Sequence, residues 1–91
     1  MNINPSRLQQ HFESMSKIGK IGETGTSRPA HSVEGKEAFQ LAASWMKDAG
    51  MAAHLDAIGN VCGRYEGERP GLPCLMLGSH YDTVRDAGKW D

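Results

Sequence analysis

Cysteine is scarce. Cys62 and Cys74 are the only two in 91 residues, too few for a disulfide scaffold. They read as free thiols of a reducing cytoplasm, with a Cys62–Cys74 bridge as the minor alternative. Long apolar runs are missing, so no segment can span a bilayer and no membrane partner is expected. The opening Met1-Asn2-Ile3-Asn4-Pro5 has no apolar stretch of the kind a signal peptide carries. An excess of one charge is also missing. Lys and Arg total 10 against 11 Asp and Glu, a formal net charge of −1, so no broad basic field favours nucleic acid. Apolar residues make up 38%, below the usual share of about 45–50%. A chain this short and polar forms at most one small domain with a modest core. No internal repeat is visible.

What is present begins with a helix. Asn4 can cap it, Pro5 suits its first turn, and Leu8, Phe12, Met15 and Ile18 recur at helical spacing. The spacing predicts a helix over 5–18, ended by Gly19. His11 beside this stripe reads as an ordinary helix residue. Residues 19–31 form a loop rich in Gly, Ser and Thr without the spacing of a phosphate loop. Arg28 on this loop is either a solvated cation or a group that orients substrate or a catalytic carboxylate. Ser32 caps a second helix over 33–49, with Ala38, Leu41, Ala42, Trp45, Met46 and Ala49 on one apolar face and Gly50 as its stop. Glu34 and Glu37 suit its positive N-terminal end and need no catalytic explanation. Alternation predicts a half-buried strand over 51–57, a turn at Gly59-Asn60 and a second strand over 61–65, together a hairpin.

The informative stretch comes last. Leu75-Met76-Leu77 reads as a buried third strand that runs into Gly78-Ser79, then His80-Tyr81-Asp82-Thr83-Val84, then Gly88-Lys89-Trp90-Asp91. On an extended backbone His80 and Asp82 would project to one side. The C-terminal end of a strand is where open α/β sheets form ligand sites. An imidazole with a carboxylate suits a divalent metal such as zinc, although a surface His beside a surface Asp would look the same. The order of two helices, a hairpin and then a buried strand indicates an α/β fold, the beginning of a larger sheet with a helical layer.

Gly78 to Val84 together with Gly88 to Asp91 resembles the first metal motif of the aminoacylase/carboxypeptidase-like dinuclear metallohydrolases. The nearest branch contains the N-carbamoyl-L-amino-acid hydrolases, β-ureidopropionases and allantoate amidohydrolases. Asp56-Ala57-Ile58-Gly59-Asn60-Val61-Cys62-Gly63-Arg64-Tyr65, Thr26-Ser27-Arg28 and Ser32-Val33-Glu34-Gly35 fit the same branch. One departure is Ala87, where the branch often has a glycine. It leaves the ligand positions intact.

The resemblance implies the N-terminal part of an αβα-layered catalytic domain. Residues 1–91 would be a fragment, with the rest of that domain and a dimerisation domain beyond Asp91. It implies two divalent metal ions, zinc first, with manganese or cobalt also compatible. His80 would be a terminal ligand and Asp91 a bridging one. Asp82, a catalytic-site residue that does not bind metal, would accept a hydrogen bond from the His80 ring and fix it. Arg28 would lie near substrate. Two metals about 3.5–4 Å apart suit a short anionic bridge, and they make water acidic enough to attack an amide or carbamoyl carbon. The implied activity is hydrolysis of non-peptide C–N bonds in small carbamoyl or ureido substrates by a cytoplasmic homo-oligomer. The general base would lie beyond Asp91, so this piece alone is expected to be inactive, to hold zinc weakly and to self-associate.

Two other readings compete. A small α/β binding module without catalysis is compatible with the composition. A Ser79-His80-Asp82 hydrolase is disfavoured, because adjacent Ser and His on an extended chain do not reach nucleophile–base geometry.

Overall fold

The computed structural model describes residues 2–88, 90 and 91; Lys89, part of the last motif, lies outside the described residues. The chain divides into two compact units. One is Met1–Ala38 with Tyr81–Asp91, the other Phe39–His80.

In the first unit, helix α1 spans Pro5–Ser16. The Asn4 side chain accepts from the Arg7 amide at 3.1 Å, which satisfies one of the donors left over at a helix start. The predicted Asn cap and Pro5 start are both seen, and the helix ends two residues early. Gly19, at φ +79°, turns the chain out of the helix. The Gly-rich loop contains a feature that composition did not predict. Strand β1, Lys20–Ile21, pairs antiparallel with β2, Gly25–Thr26. The far edge of β2 is used as well: Thr26 and Ala87 exchange main-chain hydrogen bonds of 2.7 and 2.8 Å. Buried residues in this unit are small or polar, namely Thr26, Arg28, Gly35, Ala38, Thr83 and Ala87.

Helix α2, Val33–Asp48, begins where predicted, with the Ser32 hydroxyl accepting from the Gly35 amide at 3.0 Å. Its opening turns belong to the first unit and its remainder to the second. It stops as the sequence requires. Met51 N donates to Met46 O and Gly50 N to Lys47 O, with Gly50 at φ +89°, the paired bonds that satisfy a helix end through a left-handed residue. Strands β3, Ala52–Leu55, and β4, Val61–Arg64, form the predicted antiparallel hairpin with Leu55 opposite Val61. Met46 and Met51 close around Gly63, so the end of α2 meets this hairpin through Met46.

Two details differ from expectation. The hairpin turn is organised by Asp56 rather than by Gly59-Asn60 alone. The Asp56 carboxylate accepts from the amides of Ile58 and Asn60 and from the Asn60 side chain. These bonds hold its pKa below the ordinary aspartate value. The third strand is also not formed. Residues 72–84 lie in neither helix nor strand, and Leu75, Met76 and Leu77 are 88, 84 and 86% exposed. An interior strand needs ladder partners on both edges, and the described residues supply none for this segment. The mixed α/β class stands, built among the described residues from two helices and two small antiparallel sheets.

Candidate functional site

The site residues named by sequence lie in the stretch after Leu77, and their surroundings differ. His80 is exposed at the end of the second unit. Asp82 is half-buried and Asp91 exposed, both in the first unit. The Asp91 carboxylate accepts from the Val84 amide at 3.3 Å, so Trp90 and Asp91 fold back towards the first half of the motif. The rings of Phe12 on α1 and Trp90 meet edge to face, with centroids 4.7 Å apart.

Arg28 organises this unit. It is 2% exposed, which overturns the solvated reading. Its amide donates to Thr83 Oγ1 at 2.8 Å, and its carbonyl accepts from the Thr83 amide at 2.8 Å. Its Nε donates to Tyr81 O at 2.6 Å, and its Nη1 to Met15 O and Ile18 O at 3.0 and 2.8 Å. The last two carbonyls sit at and just past the C-terminal end of α1, where a cation is favoured. Burial lowers the guanidinium pKa, while the charges of Asp91 and Asp82 act in the opposite direction. The expectation of substrate contact therefore meets a side chain whose Nε and Nη1 already serve the main chain.

Sequence reasoning passed over Thr83, whose hydroxyl accepts from Arg28 and donates to Val84 O. A bond between residues 55 apart leaves no periodic signal in the chain. Thr26 was also passed over. Its hydroxyl is buried without a hydrogen-bond partner among the described residues.

An imidazole and carboxylates are the right kinds of donor for a divalent metal. Their number is short. Among the described residues no three His, Cys, Asp or Glu side chains come together as a metal-holding group. The donor chemistry fits, while a stable centre wants three or four protein ligands. Cys62 and Cys74 are both free thiols. No helix among the described residues is long and apolar enough to cross a membrane.

No family model matches the chain. Individual proteins do. It is 45% identical over 91 residues to an N-carbamoyl-L-amino-acid amidohydrolase of Pseudomonas sp. (strain NS671), covering 100% of this chain and 22% of that protein. The chain is a homologue of these amidohydrolases. An N-carbamoyl-L-amino acid amidohydrolase of Geobacillus stearothermophilus is 36% identical over 89 residues, 98% of this chain and 22% of the relative. An allantoate deiminase of Arabidopsis thaliana is 38% identical over 79 residues, 85% of this chain and 15% of the relative. The chain thus spans 15 to 22% of the length of these curated relatives. For the amidohydrolase homologue the matched span includes both halves of the terminal motif, since all 91 residues align.

Proposed function

We propose that this chain is the N-terminal part of a metal-dependent hydrolase of C–N bonds in small carbamoyl or ureido compounds, such as N-carbamoyl-L-amino acids or allantoate. The observation that carries this is the 45% identity to an amidohydrolase over 91 residues, a span that takes in the motif. In this reading His80 and Asp91 hold metal, zinc before manganese or cobalt, and Asp82 fixes the His80 ring. A bound divalent metal would supply Lewis acidity to a carbonyl and to water. The chain's own contribution is to present these groups. Asp91 is drawn back by the Val84 amide, and the main chain on both sides of Asp82 is tied to Arg28. The reading includes a cytoplasmic homo-oligomer that binds neither nucleic acid nor membrane.

The test is metal analysis and substrate turnover on protein from the complete reading frame, beside the 91-residue chain. We expect about two metals per chain and hydrolysis of an N-carbamoyl amino acid or allantoate by the complete protein, with neither tight metal nor turnover in the 91-residue piece. A complete protein without metal or turnover would overturn the reading in favour of a binding module. Metal-dependent turnover by the 91-residue chain alone would overturn the claim that further residues complete the site.

A further inference from the structure

Asp82 stands between two residues that Arg28 holds. Tyr81 O accepts from Arg28 Nε, and Thr83 exchanges bonds with the Arg28 main chain through its amide and its hydroxyl. The same guanidinium reaches Met15 O and Ile18 O, so the end of α1, the segment after β2 and the motif segment meet on one side chain. The next residue, Val84, donates its amide to Asp91. The guanidinium also attracts each of the two carboxylates. A carboxylate whose neighbouring peptides are tied on both sides keeps only its own side-chain torsions to adjust.

We infer that Arg28 is a positioning residue: by clamping Tyr81 and Thr83 to the end of α1 it sets the Asp82 carboxylate and, through Val84, that of Asp91. What these carboxylates are positioned for rests on the hydrolase reading above. The clamp requires arginine. Three carbonyls around one planar group call for donors fixed in different directions and a charge that survives burial. A lysine ammonium offers one flexible, strongly hydrated point charge.

Arg28→Met and Arg28→Lys in the complete protein test this with two readouts. Amide exchange across residues 80–88 reads the clamp itself. Steady-state kinetics on an N-carbamoyl amino acid or allantoate reads its use. For Arg28→Met we expect loss of protection in residues 80–88 with residues 52–64 unchanged, and a fall of roughly 100-fold in kcat with KM retained. Arg28→Lys should restore part of the protection and part of kcat. A rise in KM with kcat retained would overturn the inference and make Arg28 a substrate ligand. Unchanged protection in residues 80–88 would overturn it outright. If Arg28→Met does not fold, Thr83→Val, which removes the hydroxyl that accepts from the Arg28 amide and donates to Val84 O, tests the Thr83 arm of the clamp by the same two readouts. Absence of turnover in the wild-type protein would count against the hydrolase reading, and the exchange measurement would still decide the clamp.

Discussion

Arg28 and Thr83 are bonded to each other in both directions. The Arg28 amide donates to the Thr83 hydroxyl, and the Thr83 amide donates to the Arg28 carbonyl, each at 2.8 Å. Thr83→Val keeps the shape and removes the acceptor, leaving a buried amide unpaired. Its cost should be about 1–3 kcal/mol. Thermal or urea unfolding of the 91-residue chain reads this directly, and an unchanged midpoint would show that the bond carries no net stability.

Gly19 is a second sensitive point. At φ +79° a side chain there would be strained, and a Cβ would strike the Ser27 carbonyl. That carbonyl belongs to the residue whose amide bonds back to Gly19 O at 2.8 Å. Gly19→Ala should therefore cost about 2 kcal/mol or more and loosen the β1–β2 pairing. A midpoint within error of wild type would contradict the left-handed turn.

Asp56 gives a pH prediction. The Asn60 side chain and amide, with Ile58 and Gly59, hold its carboxyl below the ordinary value in the folded chain. A depressed folded pKa means that the stabilisation is complete above the unfolded carboxyl's pKa and is lost as pH falls through the folded value. Acidification through and below the ordinary aspartate range should release the 56–60 turn. Asp56→Asn should weaken the turn at neutral pH and remove this acid dependence. The amide shifts of Ile58 and Asn60 followed against pH check both statements, and a wild-type titration at or above the ordinary aspartate pKa would refute the first.

Leu75, Met76 and Leu77 make an exposed apolar stretch that pairs with no strand among the described residues. Such a segment is a template for pairing with another chain. The 91-residue chain should elute from gel filtration at volumes that fall as its concentration rises. Leu75→Lys with Leu77→Lys should restore the monomer volume. Elution of the wild-type chain as a monomer at all concentrations would count against this.

Both helices and the hairpin were legible because their signals are local. Asn4, Pro5 and Ser32 supply helix starts. Gly50 supplies a stop whose left-handed φ costs glycine no Cβ strain, and the 51–65 alternation records a half-buried strand pair. The β1–β2 pairing was not legible, because two-residue strands are too short to show a period. The expected strand at Leu75–Leu77 shows the opposite failure. Its apolar run is strand-like, but a ladder needs neighbours, and among the described residues none pairs with it.

By itself the sequence determined which groups are available for chemistry. An imidazole at His80 and carboxylates at Asp82 and Asp91, in that order after an apolar run, are written in residue identity and spacing, as is kinship with amidohydrolases over all 91 residues. Only the tertiary structure decided what Arg28 does. A guanidinium on a Gly-rich loop looks solvated in one dimension. Its partners at Met15, Ile18, Tyr81 and Thr83 are 10 to 55 residues away, and folding alone brings their carbonyls and hydroxyl within hydrogen-bond reach. Once that burial is made, main-chain carbonyls must take the place of water around the cation.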